Sequence, residues 1–207
     1  MELQYHGADC LRLTTKKSVI ITDPKSDITN IKPDLKKATI VLATQTAFEP
    51  EAGSAFLING PGEYEFEDVS VAAIYAQPHT GASGDKSATI YRITASDITV
   101  LVVGHIDAKL TEEQLEKIGM IDILIVPVGG NGYTLDAVGA ATVVRSIEPK
   151  MIIPVHCSDD GLKYDVPQSE RDLFVKELGA PVAEDAPDKL KLKALPEQTT
   201  IQFIKIS

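Results

Sequence analysis

The sequence predicts an α/β protein, a four-layer αββα sandwich with mixed sheets, and three observations predict it. The first half is a series of short β-rich runs set apart by turn residues, at 11–14, 19–22, 39–43, 55–58, 69–75 and 88–94, which is the pattern of an antiparallel meander. The second half alternates continuous apolar runs, at 98–103, 121–126 and 151–155, with helix-patterned stretches. Such a β-α-β-α-β succession makes parallel crossovers whose helices must cover a sheet face. The tail, 189–206, returns to strand-like alternation.

Helix boundaries follow from capping chemistry. Thr111 and Gln114 can form a reciprocal capping pair, and Gly119 supplies the stop. A second helix follows Thr134 and ends before Pro149. A third is expected over 169–178, with Ser169 as its cap, acidic residues in the first turn and Gly179 beyond the last. Neither a solenoid period nor an internal linker interrupts the chain, so one domain over residues 1–207 is expected.

Composition narrows the classes of function. At 43% hydrophobic and 24% charged residues, the chain has the make-up of an ordinary globular protein with a full core. A net charge of −10 repels phosphate backbones, and lysines cluster only at Lys36-Lys37 and within 189–193, so nucleic acid is not expected as a partner. The apolar runs are far shorter than the ~20 residues that span a bilayer, so no membrane insertion is expected. Met1-Glu2-Leu3-Gln4-Tyr5 lacks the basic stretch and apolar run of a secretory signal, and Cys10 and Cys157 form no Cys-x-x-Cys pair. A cytoplasmic protein without a disulfide framework is expected. A small-molecule or protein partner and assembly as a homo-oligomer stay open.

Polar residues follow five of the apolar strands: Asp23, Gln45, His79, His105 and His156. Ligands in α/β sheets collect beyond the carboxyl ends of strands, and imidazole is the commonest metal ligand. One reading therefore gathers His79, His105 and His156 around a single zinc with a water in the fourth position, Glu49 or Asp107 serving as the base. The other leaves each histidine as a strand-end residue bonded to a loop carbonyl. A nucleophilic Cys157 beside His156 is a third reading, but neighbours on a strand point to opposite faces, which favours a small buried thiol.

A set of motifs recurs in order along the chain: Tyr5-x-Gly7-x-x-Cys10 ahead of a strand, Thr22-Asp23-Pro24, Gly60-Pro61-Gly62-Glu63-Tyr64-Glu65, Lys109-Leu110-Thr111-Glu112-Glu113-Gln114, Pro127-Val128-Gly129-Gly130, Glu148-Pro149-Lys150 and Ile153-Pro154-Val155-His156. With these the chain resembles the metallo-β-lactamase superfamily, in the branch similar to L-ascorbate-6-phosphate lactonase and hydrolase-like relatives. The resemblance covers nearly the whole sequence. Within it, the run from Gly60 to Glu65 reads as a tight turn between two strands.

The resemblance implies a binuclear hydrolase site in which a strand like 39–43 runs into His-x-His-x-Asp-His. Placed residue by residue after Thr44, the first His becomes Gln45, the second Ala47, the Asp becomes Glu49 and the last His Pro50. His79 and His156 fit the family's two isolated metal-binding histidines, while His105 stands where a bridging Asp is expected after Gly104. Ala8 stands where relatives often carry a His after Gly7, leaving His6 as an ordinary strand residue. Asp23 matches a residue that orients a metal-bound histidine from behind; with that partner missing, it reads as an Asp capping its own turn. Two functions follow from the resemblance. One is a pseudoenzyme with a degenerate metal site and no cofactor, binding a small molecule or protein. The other is a hydrolase of lactones, esters or phosphodiesters that uses a remodelled single-zinc site of His79, His105 and His156.

Overall fold

The computed structural model of the chain describes residues 1–24, 33–50, 53, 55–79 and 87–207. In chain order its strands are β1 (Glu2–Gly7), β2 (Cys10–Thr14), β3 (Val19–Thr22), β4 (Ile40–Leu42), β5 (Phe56–Ile58), β6 (Gly62–Phe66), β7 (Val69–Ala76), β8 (Ala88–Ala95), β9 (Ile98–Val102), β10 (Ile123–Pro127), β11 (Met151–Val155), β12 (Leu190–Lys191) and β13 (Thr200–Ile201). Its α-helices are α1 (Glu112–Ile118), α2 (Ala137–Ile147) and α3 (Arg171–Leu178).

Two mixed sheets result, as the change of pattern between the halves requires. The first has the order β12-β1-β2-β3-β4-β5, antiparallel as far as β3 and parallel from β3 to β5. The second has the order β13-β11-β10-β9-β8-β7-β6, parallel from β13 to β9 and antiparallel from there to β6. Alternation decides which side chains meet between the sheets. Leu3, Leu11, Leu13, Ile20 and Leu42 of the first pack against Val71, Tyr91, Ile93, Val102 and Ile125 of the second. The other face of the second sheet, with Ile90, Leu101, Leu124 and Ile152, buries Ile118, Val143, Val144 and Phe174 of the three helices. Strands β10 and β11 are buried along their whole length because both of their faces are covered. On the outer face of the first sheet, Cys10, Ile21 and Val41 pack with Leu35 and Ala38, in and beside a single 3-10 turn, Leu35–Lys37.

Local chemistry sets the helix ends. Thr111 and Gln114 form the expected reciprocal capping box, and α1 stops at Gly119. Asp136 caps α2, and Glu148 takes a left-handed conformation before Pro149. Two expectations change. Helix α3 begins at Arg171, with Glu170 at its cap position and no side-chain cap bond. Ser169 instead gives its backbone N–H to the Gly129 carbonyl and accepts from Ser158 N–H, so it is held as a loop residue. The run from Gly60 to Glu65 is not only a turn, because from Gly62 it is strand β6, paired with β7 from Gly62↔Ala73 to Phe66↔Val69. Tyr64 and Phe66 turn inward there while Glu63 and Glu65 face solvent, an alternation that charged turn-like residues conceal. No helix among the described residues is long and apolar enough to cross a membrane.

Tyr91 ties the two sheets together inside this core. Its fully buried ring carries a hydroxyl that lies 2.7 Å from the Ala43 carbonyl and 2.8 Å from the Ile58 carbonyl, both at strand ends of the opposite sheet. Replacing Tyr91 by Phe leaves both acceptors without that donor, and should cost about 1–2 kcal/mol in a urea or guanidinium unfolding titration.

Candidate functional site

Strands β3, β4, β9 and β11 end at one rim of the sandwich, and the residues just beyond them build the site. Backbone conformation there is unusual. Gly104 has φ +61, and a Cβ on it would lie 2.6 Å from Thr44, so only glycine lets the turn after β9 approach β4. Ala8, Asp23 and His156 hold φ of 49, 38 and 49 without being glycine, a left-handed state that costs roughly 1–2 kcal/mol per residue. Such cost persists where surrounding bonds over-determine the geometry. The bonds on His156 do this: its N–H donates to the Ala8 carbonyl at 3.1 Å and lies 3.1 Å from the Tyr5 hydroxyl.

At the centre is Asp9, on the turn between β1 and β2. Its carboxylate accepts from Nδ1 of His156 at 2.6 Å, and the same oxygen lies 3.4 Å from Nε2 of His105. Asp9, His105 and His156 are 3%, 0% and 0% exposed. Thr22 steadies the turn, donating through Oγ1 to the Asp9 carbonyl at 2.7 Å while accepting from Leu11 N–H. Aromatic rings surround the pair of imidazoles. Phe48 stacks on His105 with centroids 4.8 Å apart, Tyr164 stacks on His156 at 5.0 Å, and Tyr133 meets both histidines at 5.2 and 5.5 Å.

The residues expected at the site divide into two groups. His105 and His156 come together, with ring centroids 4.9 Å apart. His79 lies beside them in the chain path, its N–H donating to the His105 carbonyl at 2.9 Å, and it is half-buried. Glu49 points to Asn59, whose Nδ2 donates to it at 3.0 Å. Asp107 is exposed and accepts from Lys109 N–H at 2.8 Å, closing a turn ahead of α1. The Asp23 carboxylate does not cap its own turn: it accepts from the N–H and the Oγ1 of Thr44, both at 2.7 Å, and so fastens β3 to β4. Cys157 is buried, and burial pushes its thiol up to about 11, so little thiolate is present at neutral pH. Asp9, Phe48, Tyr133 and Tyr164 went unsingled in the sequence. For Asp9 the available signal was its place inside Tyr5-x-Gly7-x-x-Cys10.

One donor atom each from Asp9, His105 and His156 can be chosen so that all lie within 4.8 Å of one another, and this is the one such group of His, Cys, Asp or Glu among the described residues. A carboxylate with two imidazoles is a donor set that suits a single zinc with a fourth position open. Ligand atoms sharing one zinc at bonds of about 2.0–2.1 Å sit roughly 3.3 Å apart. The Asp9 to His105 separation matches that, and the 2.6 Å Asp9–His156 bond uses Nδ1, which leaves the buried Nε2 of His156, like both ring nitrogens of His105, without a hydrogen-bond partner and able to face a cation.

Burial raises the Asp9 carboxyl, but the neighbouring His105 and His156 outweigh it and hold the group below its ordinary 3.8. Burial pushes His105 down to about 4, with His156 and His79 adding to the fall against the pull of Asp9. Burial also raises Asp23, and the Asp9 charge reinforces it beyond what the Thr44 bonds oppose. His105 is thus neutral in the folded protein at neutral pH, and the unfolded chain takes up its proton first on acidification. Its contribution to stability is full above its ordinary 6.5, and is lost as pH falls towards 4. In chelator-treated protein, unfolding titrations should show stability falling across that window, and His105→Gln should flatten the slope.

Known proteins agree with this architecture. Residues 2–156 match the model of the beta-lactamase superfamily domain. A UPF0173 metal-dependent hydrolase of Thermoplasma acidophilum is 25% identical over 193 residues, spanning 75% of this chain and 83% of the relative. A candidate Zn-dependent hydrolase of the metallo-beta-lactamase superfamily from Thermotoga maritima superposes with a TM-score of 0.77 at 25% identity, covering 99% of each chain. A diiron beta-hydroxylase of Streptomyces venezuelae, 13% identical, shares the fold with a TM-score of 0.66 over 98% of this chain and 52% of its own. Two mixed sheets, a rim of strand-end histidines and the match over residues 2–156 converge on one assignment: the chain belongs to the beta-lactamase superfamily and has the metallo-β-lactamase fold.

Proposed function

We propose that this chain is a non-hydrolytic member of its superfamily, a pseudoenzyme whose former metal cleft is held together by hydrogen bonding and serves to bind a partner molecule. The 2.6 Å bond from His156 Nδ1 to the Asp9 carboxylate, deep beneath aromatic rings, is compatible with the reading because it holds the rim together without an ion. The carboxylate bonds His156 directly, while the neutral His105 lies 3.4 Å from it with neither ring nitrogen hydrogen-bonded. The observation that carries the reading is the stretch Gln45 to Pro50: where relatives of this type carry His-x-His-x-Asp-His, this chain has Gln, Thr, Ala, Phe, Glu and Pro. Within that stretch Phe48 lays its ring on His105, and Glu49 turns to Asn59.

Elemental analysis of protein purified without a histidine tag tests the reading. Metal well below one atom per chain is expected, with a melting temperature unchanged by chelator, since a tightly bound ion would stabilise the folded state by mass action. One firmly held zinc per chain overturns it.

One observation favours a second reading, a single-zinc hydrolase: the donor atoms of Asp9, His105 and His156 lie within 4.8 Å of one another. Those three residues would hold the ion, which would supply an activated water and a Lewis acid for lactone, ester or phosphodiester cleavage. On this reading Asp9→Asn and His156→Ala each abolish metal content together with any such activity. Metal content unmoved by both substitutions defeats it.

A further inference from the structure

A cavity of about 200 Å³ opens beside the histidine pair, lined by Tyr133, Tyr164, Asp165, Val166 and Gln168. Its two tyrosines are the rings that meet His156, so it lies against the outer surface of the aromatic layer over Asp9. Its lining carries one charged side chain. Asp165 is in its lining, no Lys or Arg is, and Asp9 lies behind the tyrosines. In a relative with two bound cations, such carboxylates would be neutralised and an anionic substrate favoured. Without cations the preference reverses.

We infer that this cavity is a binding site for a small organic cation, an alkylammonium group seated against the faces of Tyr133 and Tyr164 with Asp165 as its counter-charge. The inference rests on the metal-free reading of the site. Its chemistry is that of aromatic recognition of ammonium groups: a ring face attracts a cation within about 6 Å of its centroid, more strongly once water is excluded. The nearby carboxylate adds a Coulombic attraction that salt weakens. The chain's overall charge of −10 acts in the same sense at longer range. Nucleotides and sugar phosphates fit it less well, since they bring negative charge to a lining that has no cationic side chain.

Tetramethylammonium is the probe, with tert-butanol as a neutral molecule of similar size, both titrated into chelator-dialysed protein. The chain has no Trp and 6 Tyr, so intrinsic fluorescence reports on tyrosine alone, and proton NMR of the probe's methyl groups gives a second readout. Saturable binding of tetramethylammonium is expected at least about tenfold tighter than that of tert-butanol, which corresponds to the range of a desolvated cation–π contact. Raising the salt should weaken it. Asp165 is exposed, so Asp165→Asn should fold normally and weaken binding several-fold. Tyr133→Phe, which keeps the ring face, should retain binding that Tyr133→Leu loses. Equal affinity for the two probes, an absent response to tetramethylammonium, or indifference to Asp165→Asn overturns the inference. Elemental analysis of the protein before dialysis separates the two failures. Stoichiometric metal there refutes the metal-free reading, whereas metal-free protein that does not distinguish the probes refutes the cation site alone.

Discussion

The hydrogen bond between Asp9 and His156 is the constraint on which the rim of this molecule depends. One partner belongs to the turn between β1 and β2 in the first sheet, the other to the end of β11 in the second. Hydrophobic packing brings two sheets together but does not fix how their ends register, because it has no direction. A short charge-assisted bond does, and here it is reinforced by the contacts of the His156 N–H with Ala8 and Tyr5. The left-handed backbone of Ala8 and His156 is held in place by these same bonds.

A buried carboxylate is costly unless it is paired, and breaking one partner of such a network leaves a desolvated charge. In this site one carboxylate faces two imidazoles, and the rings of Phe48, Tyr133 and Tyr164 keep the dielectric low around all three. The aromatic layer therefore does two things at once: it strengthens the Asp9–His156 bond, and it provides the wall of the neighbouring cavity.

The mixed sheets were legible because β9, β10 and β11 are continuous apolar runs with capped helices between them, and a strand covered on both faces has no other pattern. His105 and His156 were legible for a similar reason, as imidazoles directly after such runs. Asp9 was not, since an aspartate in a tight turn between antiparallel strands has the appearance of a solvated turn residue. The two histidines that face it follow strands of the second sheet, far along the chain. Glu49 and Asp107 stood out by position alone. Both are acids close in sequence to expected ligands, yet Asn59 and the backbone of Lys109 claim their carboxylates. Phe48, Tyr133 and Tyr164 lie on three separate loops, and no local period records that their rings converge.

The two short strands of the tail occupy different sheets: β12 lies beside β1, and β13 beside β11. A stretch of some twenty residues thus acts as a clasp over one edge of the sandwich, covering a margin of each sheet that would otherwise offer unpaired backbone groups to other chains. Both partners of the clasp precede it in the chain, so those two margins have no partner strand until residues 190–201 are in place. A chain in which the tail is displaced would bare two sheet edges at once, so this one segment guards both sheets against pairing with another copy.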